Sequence, residues 1–187
     1  MRHRGAFLGL LLGTLLPLAG CSTFETNSLP GPNDFPIHGI DVSKYQGKID
    51  WNAVRASGIR FVYLKATEGG DHLDDMFATN WEAARAAGLP TGAYHFYYFC
   101  RPVEEQIARF KSHLPRVSDA LPPALDMEWV PESKTCPKPP PAAQIRRDVR
   151  TFLREMELYY GKRPVVYTTV DFHRDVLKDD LHDHWFW

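Results

Sequence analysis

The sequence predicts an α/β fold built round a parallel sheet, and three observations carry that expectation. Apolar, strand-like runs alternate with amphipathic helical patterns through the middle of the chain. Gly58, Gly88 and Gly161 each close a helical pattern, as C-terminal caps do. A strand then begins within a few residues, at Ile59-Arg60-Phe61, Pro90-Thr91-Gly92 and Lys162-Arg163-Pro164. Short turns of this kind, repeated, mark right-handed βαβ units.

The elements follow in order. Residues 37–42 read as the first strand, and Asp50 stands where a helix over 51–57 needs its N-cap. Strands over 60–67, 91–99, 123–128 and 164–169 alternate with helices over 76–87, 103–114 and 142–160. Five prolines in 131–141 predict a rigid loop after the fourth strand. His184-Trp185-Phe186-Trp187 reads as a sixth strand just beginning. A closed parallel barrel takes eight strands and roughly 200 residues or more. The architecture is therefore an open α/β sheet or a barrel cut short. The aromatic stub, which a domain seldom leaves exposed, favours the cut barrel.

Residues 1–20 read as a signal peptide. Arg2, His3 and Arg4 form a basic head, and the apolar stretch over 6–19 is shorter than the roughly 20 residues a bilayer core requires. Leu18-Ala19-Gly20-Cys21 resembles the bacterial lipobox, in which the cysteine becomes the lipidated first residue. Cleavage there leaves 187 − 20 = 167 residues, and loss of Arg2 and Arg4 moves the formal charge from −1 to −3. Residues 21–36, with Pro30, Gly31, Pro32 and Pro36, read as a tether, and 37–187 as the working domain. The expected setting is the bacterial cell envelope, with a lipid at Cys21 anchoring a monomer in a membrane. Ser22 after the cysteine points to the outer membrane, facing the periplasm. No basic run or excess suggests a nucleic-acid partner. Export also leaves Cys100 and Cys136 in an oxidising compartment, which suits one disulfide.

The chemistry concentrates in Leu125-Asp126-Met127-Glu128-Trp129. Side chains two apart on a strand share a face, so Asp126 and Glu128 sit side by side at a strand's C-terminal end. Two carboxyls that close do not ionise independently, and one is pushed towards a raised pKa. Other strand ends add Asp41 and Ser43, Lys65, Thr67 and Glu68, His95 and Tyr97, and Tyr167 with Thr169. Taken singly each has a plain reading: Lys65 neutralises a carboxylate, and a lone histidine such as His95 is usually a satisfied core residue. Tyr94, Phe96, Tyr98 and Phe99 read as packing between sheet and helices. Their common position at the strand ends is what groups the polar set into one site. Cys100 and Cys136 lack metal-ligand spacing and His182-x-His184 has no third ligand, so neither metal nor cofactor is expected. There is no G-x-S-x-G elbow and no glycine-rich phosphate loop. An acid pair among aromatics and hydroxyls fits glycoside hydrolysis.

These residues resemble glycoside hydrolase family 25 lysozymes. The resemblance lies in Gly39-Ile40-Asp41-Val42-Ser43-Lys44-Tyr45-Gln46-Gly47 with Ile49-Asp50-Trp51, in Lys65-Ala66-Thr67-Glu68-Gly69, and in Gly92-Ala93-Tyr94-His95-Phe96-Tyr97. It continues through Asn80 with Ala83, Ala84 and Ala87-Gly88, Leu125-Asp126-Met127-Glu128 and Pro164-Val165-Val166-Tyr167-Thr168, all in the family's order. It implies an irregular TIM-like barrel of five βα units and three further strands, incomplete here, and cleavage of the β-1,4 bond between N-acetylmuramic acid and N-acetylglucosamine in peptidoglycan. By the same resemblance Glu128 is the general acid, Asp126 steadies the substrate's acetamido group, which serves as nucleophile, and Asp41 supports from the floor. Lys65, Glu68, His95, Tyr97 and Tyr167 match positions that bind sugar or shape the site. A further acid on the family's last strand would lie beyond Trp187, so little or no activity is expected of these 187 residues alone. The competing expectation is a non-catalytic or vestigial glycan-binding lipoprotein made by truncation. A chitinase is a weaker third, since its D-x-x-D-x-D-x-E run is absent.

Overall fold

The computed structural model describes Gly31 and residues 34–130, 133–178 and 180–187. The signal peptide, Cys21 and nearly all of the tether lie outside the described residues. Contacts divide the chain after Asp34, and the sheet and its helices belong to the unit Phe35–Trp187.

Seven strands form one sheet: β1 (Gly39–Val42), β2 (Phe61–Glu68), β3 (His72–Leu73), β4 (Thr91–Phe96), β5 (Ala124–Met127), β6 (Val165–Thr168) and β7 (Trp185–Phe186). The order is β1-β2-β4-β5-β6-β7 with every pair parallel, and β3 pairs antiparallel on β2. The helices α1 (Trp51–Ala56), α2 (Phe77–Ala86), α3 (Val103–His113), α4 (Ala142–Tyr160) and the single turn α5 (Val170–Phe172) fill the crossovers. This is the expected βα alternation. Asp50 caps α1 as the sequence predicts, its Oδ1 accepting from the amides of Asn52 and Ala53 at 3.1 Å each. Gly161, at φ 69°, closes α4 in the left-handed conformation.

The sheet curls into an incomplete barrel. Trp187, just past β7 at one end of the strand order, packs on Phe61 and Tyr63 of β2 near the other, with ring centroids 5.9 and 5.1 Å apart. Interior space is tight: a Cβ at Gly39 or Gly92 would run into the rings of Phe61 or Tyr63. The main core lies on the outer face, where Val62, Leu64, Leu125, Met127 and Val166 meet the helices. Ile145, Val149, Phe152, Leu153 and Met156 give α4 a buried stripe at helical spacing against that face. β2, β4 and β5 are buried along most of their length, so these strands show little alternation of apolar and polar residues.

Candidate active site

The polar residues inside the curl converge at the C-terminal ends of the strands. A cavity of about 200 Å³ is lined there by Asp41, Lys65, Asp126, Glu128 and Tyr167, together with Tyr94 and Phe96. Strand register produces this grouping. Phe96, Asp126 and Tyr167 are partners across β4, β5 and β6, Lys65 is level with Tyr94, and Asp41 with Tyr63. Side chains at one level of a parallel sheet point the same way, so neighbouring strands aim these residues at one space.

Asp126 is 8 % exposed and its Oδ1 is buried without a hydrogen-bond partner among the described residues. Burial, then the charge of Glu128 beside it, pushes its pKa up to about 8, with Lys65 pulling the other way. The pKa of Glu128 is also raised, first by burial and then by Asp41, again against Lys65. Both carboxyls therefore hold protons more tightly than ordinary acids, and an ionised Glu128 disfavours an ionised Asp126. The sequence leads one to expect a raised Glu128 beside an ionised Asp126. Asp126 is raised as well, because it is the more deeply buried of the two.

Lys65 is itself 9 % exposed. Its Nζ donates to Glu68 Oε2 at 2.7 Å and sits 4.6 Å from the centre of the Phe96 ring. Register with β4 shifts between Lys65 and Thr67, and this bulge accounts for an i, i+3 pair meeting across a strand. Glu68 thus reaches the site through Lys65, at its edge.

His95 and Tyr97 are not in the cavity, which corrects the sequence expectation. His95 lies on the outer face of β4 and Tyr97 just past its end, and Tyr94 and Phe96, expected among the helices, point inward instead. His95 is 0 % exposed and packs against Phe110 and Phe152. Its Nδ1 is 2.7 Å from the Thr67 hydroxyl and its Nε2 is 3.0 Å from Gln106 Oε1. The amide oxygen accepts from Nε2–H, which leaves Nδ1 to accept from Thr67. Burial lowers its pKa to about 4, so it is a neutral, satisfied core histidine. Tyr97 packs against Phe99 at 5.5 Å in the same layer.

Sequence reasoning also missed Tyr45, Tyr63 and Trp187 as lining residues. Tyr45 carries a signal that is open to reading. It follows Ser43, whose capping box with Gln46 fixes a 3-10 turn (Lys44–Gln46), and it stands 80 % exposed at the mouth of the cavity. Cys100 and Cys136 form the expected disulfide, with Cα atoms 5.5 Å apart. It ties the start of the β4–α3 connection to the loop that follows Glu128.

Comparison with known proteins agrees with this geometry. Residues 40–187 match the model of glycosyl hydrolases family 25. The chain is 35% identical over 154 residues to Lysozyme M1 of Streptomyces globisporus, covering 76% of this chain and 50% of that protein. It is 33% identical over 161 residues to the uncharacterized protein YegX of Escherichia coli K12, covering 83% of this chain and 57% of that one. The chain thus spans about half the length of these relatives. The solved structure of a family 25 glycosyl hydrolase from Bacillus anthracis superposes with a TM-score of 0.79 at 30% identity, over 84% of this chain and 72% of that one. The inward acid pair, the strand order and the family match converge: the chain belongs to glycosyl hydrolase family 25.

Proposed function

We propose that the chain carries the catalytic machinery of a peptidoglycan muramidase, cutting the β-1,4 bond between N-acetylmuramic acid and N-acetylglucosamine. The observation that carries this reading is the buried Oδ1 of Asp126, which has no hydrogen-bond partner among the described residues, within a carboxyl pair at the barrel mouth. A buried acceptor with no protein partner suits a substrate donor such as an acetamido N–H. Similarity to Lysozyme M1 supports the substrate class.

Glu128 gives its proton to the glycosidic oxygen as that bond breaks, and burial with the charge of Asp41 raises its pKa, which favours the protonated form a general acid needs. The acetamido oxygen of the muramic acid attacks the anomeric carbon, and positive charge grows on the acetamido nitrogen. Asp126 faces that N–H. Burial is the main cause of the raised Asp126 pKa and the charge of Glu128 the next, so a proton on Glu128 removes part of the rise and Lys65 opposes the remainder. Asp41 adds its charge to burial in raising the Glu128 pKa.

Release of muramic-acid reducing ends from purified peptidoglycan tests the proposal. Glu128→Gln is expected to lower the rate by a factor on the order of 10²–10⁴, the loss of a general acid. Undiminished release by that variant moves the acid elsewhere, and release of other reducing ends in place of muramic acid refutes the muramidase reading. For location we propose a lipid on Cys21 that anchors the protein in the cell envelope. Fatty-acid labelling of wild type but not of Cys21→Ala is the expected outcome, and equal labelling of both excludes the anchor.

A further inference from the structure

Across the Lys65–Glu68 bridge from the acid pair lies a second cavity, of about 430 Å³, that bond cleavage does not use. Glu68 joins the two spaces: it lines the second, and its carboxylate is 2.7 Å from Lys65 Nζ, which lines the first. The second cavity is bipolar, lined by the acids Glu68 and Asp71 and by Arg101. Its outer wall is fastened twice. The Cys100–Cys136 disulfide crosses it, and the Tyr98 hydroxyl bonds Ser133 at 2.8 Å and Thr135 as well. Glu105 Oε2 accepts from Arg101 Nη2 and Nε at 2.8 and 3.1 Å and so fixes the guanidinium, whose Nη1 reaches Asp71 at only 3.6 Å, with the Asp71 side chain 73% exposed. An exposed pair of that length contributes little and yields readily to a ligand carboxylate.

The chemistry of the substrate says what such a space would receive. In peptidoglycan the sugar cut at C1 carries a short peptide on the lactyl ether at C3, next to the acetamido group at C2. A ring whose acetamido group faces Asp126 has that ether one carbon further on. The peptide carries carboxylates and, where its third residue is a diamino acid, an amine. We propose that the second cavity binds this peptide, Arg101 taking a peptide carboxylate while Glu68 and Asp71 face its amine. The inference rests on the muramidase reading and adds to it a preference for peptide-bearing glycan.

Two measurements separate the proposals. In the first, free stem tetrapeptide is titrated into labelled protein and the amide resonances of Gly69, Asp71 and Arg101 are followed. They are expected to shift, with affinity lowered about tenfold in Arg101→Gln and in Asp71→Ala, as for one lost charge-assisted hydrogen bond. Absent shifts, or shifts unchanged in both variants, overturn the peptide site. In the second, hydrolysis of intact peptidoglycan is compared with that of glycan stripped of peptide by an amidase. Wild type is expected to favour the intact polymer by about tenfold in kcat/KM, and each variant to lose that preference while cutting stripped glycan at the wild-type rate. Equal loss on both polymers, or no wild-type preference, sinks the peptide site and leaves the muramidase reading intact. Peptide shifts without hydrolysis of either polymer sink the muramidase reading instead and support the site.

Discussion

Asp126 and His95 are both buried, and their pKa values move in opposite directions. Asp126 is raised from 3.8 to about 8, so the folded state holds its proton more tightly than the unfolded chain does. Its contribution to stability is complete below pH 3.8 and is lost as pH rises through about 8. His95 is lowered from 6.5 to about 4, so its contribution is complete above pH 6.5 and is lost as pH falls through about 4. From pH 4 to 6.5 the two oppose each other, and from 6.5 to 8 Asp126 acts alone of the pair. Wild-type Tm is therefore expected to decline across that upper window, and Asp126→Asn to flatten the decline. Parallel Tm profiles for the two proteins would put the titration on another group. His95→Ala is expected to cost about 2–4 kcal/mol in denaturant unfolding, since it opens a cavity and strips Thr67 and Gln106 of a partner. Its KM for peptidoglycan should match that of wild type, because His95 faces the helices; a raised KM with unchanged stability would return it to the site.

At the scale of elements, strands, helices and caps were legible because each repeats a strong local signal. The 19-residue α4 is read to its last residue, and the Gly161 cap marks its end. The acid pair was legible for a similar reason, since i, i+2 spacing on a strand admits one geometry. Orientation of β4 was not. Both of its faces are buried, so Gly92, Tyr94 and Phe96 inside look much like Ala93, His95 and Tyr97 outside. Alternation of apolar and polar residues, which normally tells the faces apart, has nothing to act on in a doubly covered strand. β3, with two residues, and the turns Val170–Phe172 and His173–Leu177 are too short for any period to register. The disulfide belongs to this scale too. It closes a loop of 36 residues, which in the chain-entropy model is worth about 3–4 kcal/mol. Paired Cys100→Ser and Cys136→Ser substitutions are expected to lower unfolding free energy by that order, and an unchanged denaturation midpoint would show that the wall holds without the bond.

For the whole molecule the governing feature is the curl of the sheet, which brings residues from its two ends within touching distance. Asp41 from β1 and Tyr167 from β6 share one cavity although β2, β4 and β5 stand between them in the strand order. Trp187 completes that circuit, 5.1 Å from Tyr63 and 6.3 Å from Tyr167. Energetically this is aromatic packing. Optically it is an antenna: an indole on the wall of the cavity, 38% exposed, whose emission answers to whatever displaces the solvent beside it. The difference spectrum between wild type and Trp187→Phe isolates that one indole from the other four tryptophans of the chain. A glycan fragment entering the cavity should shift it to the blue in proportion to occupancy, so the protein carries its own titration dye, readable in variants that have lost all turnover.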